Sequence, residues 1–142
     1  MNAEAAPTSY KVIAIVALIW NILGLLAFVA HLLITPDIIA AMPEARQALY
    51  LNAPGWLNVA FGSAVIGGTL GALGLVLKKS WSIPLLIVSL IGVLAQHYHS
   101  FFMSNTFDVL GQSAMVMPIV VIAICVFLVW FALNAKKKGY LS

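Results

Sequence analysis

Charge is what this chain has least of. Asp, Glu, Lys and Arg make up only 8% of its 142 residues, against about a quarter in soluble domains, which excludes an ordinary water-facing surface. There are four acids in the whole sequence. None lies inside an apolar segment, so no paired carboxylates are available there for acid–base chemistry. A single cysteine, Cys125, excludes an internal disulfide and reads as a small packing residue. The HExxH, GxSxG, Ser-x-x-Lys and CxxCH patterns are all missing, which removes the usual hydrolase and haem-attachment signatures. An enzyme is not expected.

What fills the chain is hydrocarbon: 63% of residues are apolar and the mean hydropathy is +1.08. A bilayer core about 30 Å thick needs roughly 20 apolar helical residues, and lipid offers no partner to an unpaired backbone amide. Residues 12–34, 56–77, 81–103 and 115–133 meet that requirement, with no charged residue in any of them. The first run is too long for the apolar part of a cleaved signal peptide and is read as a retained span. The prediction is all-α: a four-helix transmembrane bundle forming one domain over residues 1–142.

The few charges are placed unevenly. Lys11, Lys78, Lys79, Lys136, Lys137 and Lys138 flank the span ends that an even number of crossings puts on one side, and Arg46 is the exception among the seven cations. The excess of cations on cytoplasmic flanks predicts that both termini are cytoplasmic. Those flanks also account for the net charge of +3, so nucleic acid is not an expected partner and the lipid bilayer is. Trp20, Trp56, Trp81, Trp130, Tyr10 and Tyr140 lie where rings of a headgroup belt would.

Between the first two spans, Thr35 is a candidate helix cap ahead of Pro36 and Asp37, and Pro43 marks a second start. One or two short interfacial helices are expected there, with Ile38, Ile39, Met42, Leu49 and Tyr50 on the apolar side and Asp37, Glu44, Arg46 and Gln47 on the polar one. Residues 104–114 read as a loop. In the second span, Ala60, Ala64, Gly67, Gly71 and Gly74 recur at steps of four and three, with Ser63 extending the small-residue pattern. Such a stripe admits a neighbouring helix closely, either within the molecule or as the seam of a homo-oligomer.

Polar residues are rare enough in the spans to be conspicuous. "IGVLAQHYHSFFMSN", residues 91–105, holds Gln96, His97 and His99. Positions two apart on a helix point in nearly opposite directions, so His97 and His99 are a poor ligand pair for one metal. Steps of three and four instead gather Ser82, Leu85, Ser89, Gly92, Gln96, His99 and Met103 on one face. The same step in the first span gathers Ala14, Ala17, Asn21, Gly24, Phe28 and His31. Counted from the lysine side, Asn21 is level with Ser89, and His31 with His99, roughly 27 to 29 Å along the helix at about 1.5 Å per residue. With Asn58 from the second span, and Met115 and Met117 nearby, the expectation is an outward-facing pocket of His31, Asn58, Gln96, His99 and Met103. Asn21 and Ser89 would continue it inward.

Three uses of that pocket stay open on the sequence. The polar groups hold the outer helix ends in register in a purely structural subunit, or they bind or pass a small solute, with histidine able to change charge in the physiological range. Alternatively, His31 and His99 flank haem or, with methionine, copper. A metal site has no carboxylate in the spans to support its ligands, so no metal ligand is assigned. The segments "LIWNILG", "TPDIIAAMPEARQALY", "GGTLGALGLVLKK", "WSIPLLIVSLIGVL" and "MPIVVIAICVFLVWF" resemble a family of small bacterial four-span inner-membrane proteins of unassigned function, sometimes loosely labelled sugar transporters. The likeness covers almost the whole chain. It implies the same fold and an inner-membrane location; a transport-related or accessory role, alone or in a homo-oligomer or larger membrane complex, is the expectation from the chain's own residues.

Overall fold

A computed structural model of the protein describes residues 6–103 and 106–142. Its elements are α1 (Thr8–Leu32), α2 (Pro36–Ala40), α3 (Glu44–Leu51), α4 (Trp56–Val76), α5 (Ser82–Tyr98), a π-helical turn (His99–Met103), α6 (Thr106–Leu110), a 3-10 turn (Gln112–Met115) and α7 (Val116–Lys137). The described residues contain no strand. Four helices are long and apolar enough to cross a membrane, and they form the expected all-α bundle. Pro36, Pro84 and Pro118 each sit in the first turn of a helix, where the missing N–H has no intrahelical partner to lose.

The order of packing departs from the simplest reading of the polar stripes. α1 packs on α4, α4 on α5, and α5 on α7, so the first and third spans meet mainly through the second. The cause is side-chain size. α4 is the most buried of the four long helices, and Gly67, Gly71 and Gly74 all face α5. A Cβ at Gly67 would lie 3.0 Å from the Leu85 carbonyl oxygen, and one at Gly71 2.7 Å from Leu86. One at Gly74 would lie 2.8 Å from Ser82. The small-residue stripe therefore serves to bring α4 and α5 into close contact within the molecule.

All six lysines lie at one end of the bundle, and there the chain closes on itself. Lys78 adopts φ +58°; its N–H donates to the Leu75 carbonyl at 3.1 Å and that of Lys79 to Gly74 at 2.8 Å, a left-handed cap for α4. Gly139, at φ +80°, closes α7 the same way, with the Tyr140 N–H donating to Ala135 at 2.9 Å. The tail then turns back: Ser142 N–H donates to the Lys78 carbonyl and Ser80 N–H to the Ser142 carbonyl, both at 3.0 Å. Tyr10, expected in the headgroup belt, is instead 3% exposed. Its hydroxyl donates to the Leu75 carbonyl at 2.5 Å, and its ring stacks on Phe131 and meets Tyr140 edge-on.

At the opposite end the connections carry short helices. Thr35 caps α2, its hydroxyl accepting from the Ile38 N–H at 3.3 Å, and α3 starts directly after Pro43. Gln47 fastens α3 to α2 by donating to the carbonyls of Met42 at 2.8 Å and Ala40 at 3.3 Å. Between α5 and α7, where a loop was expected, lies α6, packed against α3. Five residues are too few to show a helical period. Its signal is local: Asp108 in the first turn, and Gly111 at φ +96° ending it.

Candidate functional site

The loop end of the bundle holds two adjoining open cavities. One, of about 490 Å³, is walled by α1, α3, α4, α5 and α6 and takes in His31, Arg46, Tyr50, Asn58 and Gln96. The other, of about 600 Å³, takes in Asn52, His99, Met103 and Asp108. Leu49, Ala53, Leu57, Ser100 and Thr106 belong to both walls.

His31 is the best-held polar group of the first cavity. It lies in the last turn of α1, and its Nε2–H donates to Asn58 Oδ1 at 3.1 Å. That bond fixes the proton on Nε2 and leaves Nδ1 and the Asn58 amide hydrogens for another partner. Aromatic rings hold the imidazole on two sides, Tyr50 stacked at 6.0 Å and Phe61 tilted at 5.8 Å. The interfacial helix α3 thereby becomes part of the site, since Tyr50 and Arg46 are one turn apart on it.

The five residues expected to share one pocket are divided. His31, Asn58 and Gln96 line the first cavity; His99 and Met103 line the second, and Met103 is largely exposed. Two physical causes act together. α4 stands between α1 and α5, so its first turns separate the two imidazoles. Past Tyr98 the helix widens into a π turn, where bonds run from i to i+5 and steps of three and four no longer keep residues on one face. His99 instead packs edge-on against Trp56, centroids 5.6 Å apart, giving that tryptophan a contact within the fold. His97 turns back on its own helix and donates from Nδ1 to the Val93 carbonyl at 2.8 Å.

Asn21 and Ser89 lie deeper, at a shared level. Asn21 Nδ2 donates to the Ala17 carbonyl at 2.8 Å, and the Ser89 hydroxyl donates to the Ala64 carbonyl at 2.6 Å. Both side chains close over Gly68: a Cβ there would lie 3.0 Å from Ser89 Oγ and would collide with Asn21 Oδ1. Thr69 adds a hydrogen bond to the Asn21 carbonyl at 3.2 Å. This layer ties α1, α4 and α5 together at mid-depth. Neither Asn21 nor Ser89 lines either of the two outer cavities.

Sequence reasoning missed Arg46, Tyr50 and Ser100 as wall residues of the site. Arg46 falls on the polar side of α3 by residue type, yet Arg46, Leu49 and Tyr50 step by three and four along that helix and line one cavity. That spacing was the available signal. Among the described residues, no group of three or more His, Cys, Asp or Glu side chains is placed to hold a metal ion. His31 and His99, the pair considered for haem or copper, open into different cavities.

No protein-family model matches the chain, and no curated protein or solved structure matches it either.

Proposed function

We propose that the protein is a non-enzymatic integral membrane protein that binds a small polar solute in the cavity around His31 at the loop end of its bundle. The observation that carries this reading is the oriented His31–Asn58 hydrogen bond, set in an open space of about 490 Å³ with Arg46, Tyr50 and Gln96 around it. Small-ligand sites occupy roughly 300–1,000 Å³, are mostly apolar, and fix their ligands by a few placed polar groups. A purely structural role needs the hydrogen bond but not the space beside it.

The test is thermal unfolding of the purified protein in mild detergent against a panel of sugars, amino acids and small carboxylates. A true ligand at about a hundred times its Kd adds roughly 2.7 kcal/mol to stability. At least one solute is expected to raise the melting temperature, and the double variant His31→Ala, Asn58→Ala to lose that response. His99→Ala, in the neighbouring cavity, is expected to keep it. A panel without a single response would leave only the structural role.

The cavity is assigned to the outer face of a cytoplasmic membrane, on the support of the lysines gathered at the other end. A fluorescent protein fused after Ser142 by a flexible linker is then expected to fold and glow in bacterial cells. A well-expressed but dark fusion, joined to an active alkaline phosphatase fusion at the same point, would reverse the orientation.

A further inference from the structure

Building on the solute-binding reading of the His31 cavity, we propose that its ligand is a small carboxylate with an apolar body. The wall supplies hydrogen-bond donors and a positive charge. Arg46 contributes a guanidinium, whose fork matches a carboxylate in two parallel bonds. Asn58 has its amide hydrogens left over from the bond it accepts from His31, and Gln96 adds an amide, while the Ser100 hydroxyl is turned to the Gln96 carbonyl at 3.5 Å. Among the described residues no Asp or Glu lines this space. An anion that accepts several hydrogen bonds and donates none is the natural complement; a cation would meet Arg46 with nothing to neutralise it.

The adjoining cavity sharpens the argument by its opposite sign. Asp108 lines it, and no Lys or Arg does. Two spaces divided by the shared residues Leu49, Ala53 and Leu57 are thus sorted by charge, and a carboxylate is directed to the His31 side. Met42, Leu49, Leu57, Phe61 and Leu110 also line it, hydrocarbon and ring surface suited to an apolar body. Arg46 is carried in position because α3 is held twice. Gln47 ties it to α2, and Tyr50, one turn on, stacks on His31.

The test uses the full chain in detergent and three probes of equal size and different charge: benzoate, benzamide and benzylammonium, titrated calorimetrically and by thermal shift. Benzoate is expected to bind, benzamide about tenfold more weakly, and benzylammonium not at all. Arg46→Gln is expected to weaken benzoate about tenfold while leaving benzamide unchanged, and Arg46→Lys to fall between. Arg46 lies on an exposed stretch of α3, so the unliganded melting temperature of both variants should match the parent, which separates a binding loss from a folding defect. Equal binding of benzoate and benzamide, indifferent to Arg46, would overturn the carboxylate assignment and leave solute binding intact. So would a neutral sugar that responds to His31 and Asn58 when benzoate does not bind. Silence from these probes and from the whole solute panel would remove both.

Discussion

Replacing Gly92 with alanine is expected to cost the bundle about 3 kcal/mol, at the upper end of what an added methyl does in a packed core. The reason is what the new Cβ would meet. It would lie 2.7 Å from the carbonyl oxygen of Ala60 and 2.9 Å from the amide nitrogen of Ala64. Both are backbone atoms of α4, and neither can rotate away as a side-chain end can. α4 and α5 would have to separate, and separation also stretches the 2.6 Å hydrogen bond from Ser89 to the Ala64 carbonyl one turn away. In lipid no hydrophobic effect pulls the helices back together, so close packing and such bonds are what hold them. Gly24→Ala is the matched control: its Cβ would find only Val65 Cγ1 at 3.5 Å, an ordinary contact, and alanine is the better helix former. Thermal unfolding followed by tryptophan fluorescence should show Gly92→Ala melting well below the parent, Gly92→Val lower still, and Gly24→Ala at or slightly above it. A Gly92→Ala protein that melts with the parent would mean that α4 and α5 are not in backbone contact there.

The four spans were legible because lipid imposes a simple demand, a long run of apolar residues, and the chain meets it four times with no charge interrupting. The interior faces were legible for a related reason. Ala14 and Ala17 of the first stripe, and Ser82, Ser89 and Gly92 of the third, are all buried, since small and polar groups gain nothing by facing acyl chains. Which helix each stripe would face was not legible. A stripe on α1 says that its helix has a neighbour, and only the glycine-lined surface of α4, wide enough to serve two partners, decides that the neighbour is α4 and not α5. Gly68 shows the limit. It lies one position off the Gly67–Gly71–Gly74 stripe, in a second run of small residues with Ala60, Ala64 and Ala72 at steps of four, and nothing in that run names the side chains that close over it, which are Asn21 and Ser89. The division of the candidate site has a similar origin. The wheel that put Gln96, His99 and Met103 together assumes α-helical bonding to its end, and the π turn at His99–Met103 has no signature in residue spacing. Arg46 and Tyr50 were hidden differently, because a short interfacial helix shows its polar face to water or to a cavity with the same sequence.

Tyr10 separates two accounts of the lysine end, and Tyr10→Ala is expected to cost roughly 3 kcal/mol or more, as for deletion of a buried aromatic ring. An anchor in the headgroup belt would be replaced by Ala at little cost and by Trp at almost none. A buried Tyr10 behaves otherwise. Its ring lies 5.3 Å from that of Phe131 and 5.6 Å from that of Tyr140, so it joins the start of α1 to the end of α7 and to the returning tail. Deleting the ring opens a void among three segments, and the loss should spread to the tail contacts that Ser142 makes with Lys78 and Ser80. Tyr10→Phe keeps the ring and removes only the hydroxyl. The Leu75 carbonyl it leaves still accepts from the Lys78 N–H at 3.1 Å, which limits the cost to about 1 kcal/mol. Tyr10→Trp forces a larger ring into the same packed place and should also destabilise. The expected order of melting temperatures is therefore parent, then Tyr10→Phe, then Tyr10→Trp, with Tyr10→Ala lowest and its C-terminal residues cut first by limited carboxypeptidase digestion. Near-parental stability for Tyr10→Ala or Tyr10→Trp would return this residue to the lipid surface and leave α1 held to the bundle by α4 alone.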